Sequence, residues 1–241
     1  MISSRQDQTG AALSSSPTAP PSTTTPVATI SVVDHCLPYD THNLYDVTFN
    51  NTHTIYTLLT SDPSLVDSWI STVLRDHHHQ HHHRILSVGL DIEWRPNTQR
   101  NMENPVATLQ LCVAERCLVF QILHSPSIPP SLVSFLADPN ITFVGVGIQE
   151  DVEKLLEDYN LNVANVRDLR SFAAERLGDL ELKRAGLKSL GLRVLGLEVA
   201  KPKRVTRSRW DNPWLTAEQV QYAAVDAFLS YEIGRRLSSI N

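Results

Sequence analysis

Two carboxylates stand at the end of an apolar run that has the length and composition of a buried β-strand. The run covers residues 85–90, and Asp91 and Glu93 follow it at alternate positions. Because alternate residues of a strand face the same side, both acids share one face. Burying a carboxylate is unfavourable unless it is paired or bound to a cation. The pair therefore predicts a metal site, with the alternative that both acids are solvated or paired with Arg95.

A third acid follows a second strand-like run. Residues 142–156 are typical of a strand, a turn punctuated by Gly145 and Gly147, and an amphipathic helix with Asp151 in its first turn. The two glycines allow the backbone to pass close to a packed strand or to a ligand. Asp151 is either a further metal ligand or an ordinary first-turn acid that the helix dipole stabilises.

A fourth acid lies on a helix near the C-terminus. Thr216 and Gln219 have the spacing of a capping box, which predicts that a helix begins after Thr216. Tyr222 and Asp226 are four residues apart, so they lie one above the other on one helix face, a common arrangement when taken alone. Small residues beside Asp226 favour close packing against a sheet.

The four acids predict a metal site more strongly as a set than singly, because all four lie on or beside elements that are expected to pack against one sheet. Together they would repel one another strongly, and two divalent cations would neutralise them. Carboxylate oxygens are hard ligands, which favours Mg²⁺ or Mn²⁺ over zinc. A pair of such ions is suited to the cleavage of phosphodiesters.

The order of the expected elements indicates an α/β fold. Besides the strand that leads to Asp91, strands are expected at 44–49, 54–59, 106–114, 117–123 and 141–146, and helices from Pro63, over 130–137, and after Gly147 and Thr216. This order predicts a mixed β-sheet, an antiparallel meander plus parallel strands, with helices on its faces.

The N-terminal region differs in composition from the rest of the chain. Residues 1–40 are rich in Ser, Thr and Pro, which predicts a disordered tail before one folded domain over residues 41–241. An organellar transit peptide is the less favoured alternative for the tail, because Arg5 is its only basic residue. The histidine-rich run 77–83 is expected to be a flexible inserted loop without fixed metal-binding geometry.

Composition excludes several protein classes. The chain has 241 residues, 41% of them hydrophobic, which is ample for one domain with a core. It contains neither the roughly 20 apolar residues of a membrane span nor the apolar core of a secretory signal. We therefore expect an intracellular protein, nuclear, cytoplasmic or both. Three cysteines without paired spacing indicate no disulfide framework or zinc site, and Cys112 and Cys117 fit core positions.

A basic segment suggests a polyanionic partner in a chain whose net charge is -5. From Glu181 to Arg209 nine Lys and Arg stand against two Glu. Such a segment suits phosphate contacts, which add affinity without sequence preference. The alternatives are a solvated basic face and a nuclear address at residues 201–204, and both are compatible with phosphate binding.

Three motifs in this order resemble the DEDD (DnaQ-like) superfamily of 3′-5′ exonucleases. They are Asp91-x-Glu93 on a strand, Asp151 in Gly-x-Gly-Ile-x-x-Asp, and Tyr222-x-x-x-Asp226 on a late helix, whose tyrosine marks the DEDDy branch. The surrounding residues are most similar to Werner-type exonuclease domains and their small plant relatives, over about residues 44–238. Because the chain ends soon after Asp226, we expect no helicase of the kind that is fused to the Werner protein.

The resemblance implies a ribonuclease H-like fold with five or six strands and a two-metal site of Mg²⁺ or Mn²⁺. By the family pattern Asp91, Glu93 and Asp226 ligate the tighter ion and Asp91 bridges to the second. Asp151 holds the second ion directly or through water, and Tyr222 orients the attacking water. All five are the expected catalytic residues.

The resemblance implies a 3′-5′ exonuclease that releases nucleoside 5′-monophosphates, and it favours DNA over RNA. A ribonuclease D-type exoribonuclease is one alternative, and a non-catalytic nucleic-acid-binding module of the same fold is the other. Retention of the four acids and Tyr222 argues against the second. Trp94 is a candidate for base stacking, although core packing is favoured for it, and Trp210 and Trp214 are expected to pack in the interior. The candidate phosphate contacts are Lys188, Lys201, Lys203, Arg204, Arg207 and Arg209.

Overall fold

The computed structural model describes residues 26–80, 85–97, 103–200 and 202–240. Its strands are β1 Ile30–Asp34, β2 His42–Phe49, β3 His53–Thr60, β4 Leu86–Trp94, β5 Val106–Val113, β6 Arg116–Phe120, β7 Ile141–Gly145 and β8 Val166–Asp168. Its α-helices are α1 Pro63–Gln80, α2 Pro130–Leu136, α3 Ile148–Tyr159, α4 Leu169–Leu177, α5 Leu187–Leu190, α6 Lys203–Thr206 and α7 Ala217–Ser238. Short 3₁₀ turns cover Ile122–His124 and Leu180–Arg184, and a π-helical turn covers Gly191–Leu195.

The eight strands form one mixed sheet in the order β1-β2-β3-β6-β5-β4-β7-β8. Strands β4, β5 and β6 form the predicted antiparallel meander, while β3 pairs with β6, and β7 with β4, in parallel. The carboxyl ends of β3, β4, β6, β7 and β8 therefore meet at one edge of the sheet. The predicted α/β fold with a mixed sheet flanked by helices is confirmed.

Two apolar clusters cover the two faces of the sheet. Helix α7 packs on one face with α4 and the residues before it, around the fully buried Trp210 and Phe228. Helices α1, α2 and α3 pack on the other face, around residues such as Phe143 and Leu109. Cys112 and Cys117 are fully buried, as expected for core positions. None of the helices in these described ranges combines the length and apolar character that crossing a bilayer requires.

The sheet is larger at both edges than the sequence patterns predict. Strand β1 pairs with β2 although it falls inside the expected disordered tail, so the prediction of disorder is wrong for residues 30–34. Strand β8 pairs with β7 in a region where helices were expected to dominate. A five-residue and a three-residue strand are too short to show a period, and their partner strands supply their backbone hydrogen bonds. Residues 1–25 lie outside the described part of the chain.

The histidine-rich run is partly helical. His77, His78 and His79 continue helix α1, which reaches Gln80, so the expectation of a loop from residue 77 is wrong for them. The apolar residues before His77 repeat with helical period, and helix α1 extends beyond them to Gln80. Residues 81–84 lie outside the described part.

Candidate active site

Three of the predicted acids meet at the edge of the sheet where the strand ends converge. Asp91 and Glu93 lie on β4 and Asp226 lies on α7, and one carboxylate oxygen from each lies within 4.8 Å of the other two. Asp226 is buried, whereas Asp91 and Glu93 are half-buried. The expectation that Asp91 and Glu93 share one face is confirmed, since both contribute to the cluster with α7.

Close packing between α7 and β4 brings Asp226 to the strand. A β-carbon added to Gly89 on β4 would lie 2.1 Å from the carbonyl oxygen of Ala227 and 2.8 Å from the backbone nitrogen of Tyr231. Ala223, Ala224 and Ala227 are all buried on the same helix. A strand without a side chain at Gly89 therefore lets the helix backbone approach until Asp226 reaches the acids of β4.

The three carboxylates suit a divalent cation with hard ligands. Their oxygens lie within 4.8 Å of one another, so modest side-chain adjustment would let one Mg²⁺, with bonds to oxygen of about 2.1 Å, be held by all three residues. At about 4 Å, two carboxylates repel each other by roughly 4 kcal/mol at the effective dielectric typical of protein surfaces. A bound cation would remove this repulsion, and Asp91, Glu93 and Asp226 are the residues that would hold it.

Asp151 lies at the same edge of the sheet but outside the cluster of three. It is in the first turn of α3, as predicted, directly after β7, which is the parallel neighbour of β4. The pKa of the Asp151 carboxyl is raised to about 7, chiefly by burial and then by Glu150, with Asp168 adding to the rise and Arg170 opposing it. A carboxyl whose charge is disfavoured in this way gains strongly from a cation.

The turn before Asp151 is built around its two glycines. A β-carbon on Gly145 would lie 2.8 Å from the carbonyl oxygen of Leu90, so this glycine admits a packed strand, one of the two expected reasons. Gly147 has φ +73°, and a β-carbon there would lie 3.0 Å from Nη2 of Arg170. The N–H of Gly147 donates to Oδ2 of Asp168 at 2.9 Å. The turn is thus supported by Asp168 of β8 and Arg170 of α4.

Asp168 and Arg170 are supporting residues that the sequence patterns did not reveal. Asp168 caps α4, with its Oδ1 accepting from the N–H of Arg170 at 2.7 Å, while Nε of Arg170 donates to the carbonyl oxygen of Ala185 at 3.2 Å. The available signal was an N-cap aspartate before a helical run, but the strand that carries it has only three residues. Both residues position the turn that presents Asp151.

Tyr222 lies on α7 one turn before Asp226, as predicted. Its ring packs against the buried Trp210, with ring centroids 6.0 Å apart. A cavity of about 110 Å³ adjoins Tyr222 and Asp226 and is also lined by Pro202 and Arg204 of the basic segment. The phenol therefore lies between a rigid aromatic support and space for a few water molecules.

The basic segment is less positive in the structure than in the sequence. Lys188 pairs with Glu198 at 2.7 Å, Arg204 forms a bidentate pair with Glu218, and Arg209 forms one with Asp211. Such exposed pairs contribute little to stability, so a phosphate can replace the carboxylate. Lys203 and Arg207 are exposed, and Lys201 lies outside the described residues.

The three tryptophans differ in environment. Trp94 is half-buried against the core on the α1 side, and Nζ of Lys154 lies 5.6 Å from its ring centroid. Trp210 is fully buried, as expected. Trp214 is 65% exposed, so the expectation that it packs in the interior is wrong, because the loop before α7 turns its side chain outward.

Similarity to known proteins agrees with this geometry. The sequence model of a family described as 3′-5′ exonuclease matches residues 61–240. A 3′-5′ exonuclease of Arabidopsis thaliana is 38% identical over 158 residues, 65% of this chain and 54% of that protein. The bifunctional 3′-5′ exonuclease/ATP-dependent helicase WRN of Mus musculus is 34% identical over 154 residues, 64% of this chain and 11% of that protein. The chain thus spans about half of the plant relative and a small part of the mouse one.

A solved structure is similar in fold. Escherichia coli RNase D, an exoribonuclease involved in structured RNA processing, has a TM-score of 0.57 and 22% sequence identity, covering 71% of this chain and 42% of that chain. Identity at this level concerns the fold alone. The predicted ribonuclease H-like fold is confirmed, and its sheet has eight strands rather than five or six.

Proposed function

Since this chain belongs to the family of 3′-5′ exonucleases, we propose that it removes nucleoside 5′-monophosphates one at a time from the 3′ end of a nucleic acid, with DNA as the preferred polymer. The observation that supports this most directly is the cluster of Asp91, Glu93 and Asp226, with oxygens within 4.8 Å of one another. The preference for DNA rests on the similarity of the motifs to Werner-type exonuclease domains.

Each residue of the site has a part in the proposed reaction. When bound, two Mg²⁺ or Mn²⁺ ions would supply Lewis acidity for an in-line displacement at phosphorus. Asp91, Glu93 and Asp226 would hold one ion, Asp91 would be shared, and Asp151 would hold the second. Asp91 would then serve both ions and Glu93 only one, so Asp91 should be the less replaceable of the two.

Tyr222 is suited to position the attacking water. Its hydroxyl can donate one hydrogen bond and accept another, so it can fix the orientation of a water molecule beside the scissile phosphate. The ring is held by Trp210 on one side and by its place on α7 on the other. A pre-oriented hydroxyl does not have to be ordered during the reaction.

The test is digestion of 5′-labelled DNA and RNA oligonucleotides of matched sequence, single-stranded and with recessed 3′ ends. We expect DNA to be shortened stepwise from the 3′ end with Mg²⁺ or Mn²⁺ and to stay intact with EDTA. Asp91→Ala should reduce the rate by about 10³-fold, and Glu93→Gln by less.

Three outcomes would contradict the proposal. An Asp91→Ala variant that digests as fast as the wild type would remove that residue from the site. Faster digestion of RNA than of DNA would favour a ribonuclease D-type enzyme. Binding of both polymers without any digestion would favour a non-catalytic nucleic-acid-binding module.

A further inference from the structure

Trp214 is an exposed tryptophan at the same edge of the sheet as the acid cluster. Its side chain is 65% exposed, although tryptophan usually buries most of its surface. It lies two residues before Thr216, the N-cap of α7, and α7 carries Tyr222 and Asp226. From Ala217 to Asp226 the helix rises about 13 Å, so the loop that carries Trp214 joins α7 about that far along the helix axis from Asp226.

The loop that carries Trp214 is anchored on both sides. Before it, Trp210 is fully buried, and after it Leu215 is 8% exposed. Nε2 of Gln121, which follows β6, donates to the carbonyl oxygen of Pro213 at 3.0 Å. Nε2 of His124 lies 3.0 Å from the carbonyl oxygen of Asp211. The exposed ring therefore stands on a fixed backbone and needs little ordering on binding.

Two guanidinium groups lie beside this loop. Nε of Arg209 lies 2.8 Å from Oδ1 of Asp211, and Nη1 of Arg95 lies 3.4 Å from Oδ2 of the same carboxylate. Because Arg95 and Arg209 share the single carboxylate of Asp211, these three side chains together carry a net positive charge. Arg95 is two residues after Glu93, so this positive charge lies next to the acid cluster.

We propose that Trp214 stacks on a base of the substrate strand a few nucleotides from the scissile bond, while Arg95 and Arg209 contact the strand's phosphates. This inference rests on the proposed function for the identity of the ligand. A cationic surface beside an exposed aromatic ring is the combination that binds single-stranded nucleic acid, and stacking tolerates any base. The contact holds the strand in register while its end is removed, without sequence preference.

The first experiment measures binding of a 5′-labelled single-stranded oligonucleotide by fluorescence anisotropy, with EDTA present so that the strand stays intact. Trp214→Ala should bind about ten-fold more weakly than the wild type, since stacking on one aromatic ring has this magnitude. Trp214→Phe, which keeps a stacking face, should recover most of the affinity. A merely structural role would not be restored by a smaller ring.

The matched control is Tyr56→Ala. Tyr56 is 55% exposed and pairs with Arg116 on the adjacent strand, away from the edge that carries the acids. Its removal should leave binding unchanged. Equal affinity of Trp214→Ala and the wild type, or an equal loss in Tyr56→Ala, would overturn the proposal.

The second experiment locates the stacked base, and it begins with the wild-type protein. Oligonucleotides that lack a single base at successive positions from the 3′ end should show one position at which both affinity and digestion rate fall, and Trp214→Ala should show no such position. A flat profile in the wild type would overturn the proposal. Release of nucleotides from the intact strand tests the proposed function separately, because the binding profile is measured without turnover.

Discussion

Gly147 determines much of the site's geometry although it has no side chain. It joins β7 to α3 in a left-handed conformation, gives its N–H to Asp168, and leaves room for the guanidinium of Arg170. Any side chain at this position would meet both a conformational penalty and a contact with Arg170. The position of Asp151 depends on this turn, because Asp151 lies in the first turn of the helix that it starts.

We predict that Gly147→Ala reduces exonuclease activity about ten-fold and the free energy of unfolding by about 1 kcal/mol or more. Gly178→Ala is the matched control, since Gly178 also has a positive φ, +64°, but a β-carbon there would meet nothing within 4 Å. It should lose similar stability and keep its activity. Nuclease assays and urea unfolding measure the two effects, and equal activity of both variants would contradict this role of Gly147.

At the residue scale, sequence patterns correctly predicted the features that depend on a single helix or strand. The alternation of Asp91 and Glu93, the capping box of Thr216 with Gln219, and the one-turn spacing of Tyr222 and Asp226 are all present in the structure. The outward position of Trp214 could not be predicted, because a loop has no period and its direction depends on distant anchors such as Gln121.

At the scale of elements, the crossing of α7 over β4 determines which acids meet. The crossing depends on Gly89, where a β-carbon would overlap with the backbone of Ala227. Sequence periodicity predicted both elements but not the point at which they touch. For this reason the residue patterns grouped all four acids as one set, whereas the separation of Asp151 from the other three was expected only from the family resemblance.

We expect Gly89→Ala to lower the free energy of unfolding by about 3 kcal/mol and to reduce activity more than ten-fold, since neither backbone can yield without moving Asp226. Gly191→Ala is its control, because an added β-carbon there meets only the carbonyl oxygen of Leu197 at 3.8 Å. The control should be neutral or slightly more stable. Thermal unfolding and nuclease assays decide the matter, and a fully active Gly89→Ala protein would contradict the role of this crossing.

At the scale of the whole molecule, the acid cluster links the stability of the fold to the binding of cations. Carboxylates from β4 and α7 lie within 4.8 Å of one another across the main helix–sheet contact. Cations that bind only the folded protein stabilise it by mass action. Stability and the proposed activity are therefore linked through one set of side chains.

We predict that Mg²⁺ at about 100 times its dissociation constant raises the Tm of the wild type by roughly 5 to 10 °C. Asp226→Asn should gain little from Mg²⁺, because one of the proposed ligands is gone. Glu157→Gln removes an exposed acid of α3 and should behave like the wild type. Differential scanning fluorimetry with and without EDTA measures these shifts, and an equal Mg²⁺ response in Asp226→Asn would contradict the assignment.

The short strand β1 also bears on how the protein should be shortened for production. Ala28, just before it, is buried and donates its N–H to the carbonyl oxygen of Glu198, while Glu198 returns its N–H to Pro26. A protein cut at residue 40, the boundary that composition suggests, would lose these two hydrogen bonds together with β1. Strand β2 would then become an uncovered edge of the sheet. Open edges invite pairing between molecules. A cut before Pro26 would keep these hydrogen bonds and the pairing of β1 with β2.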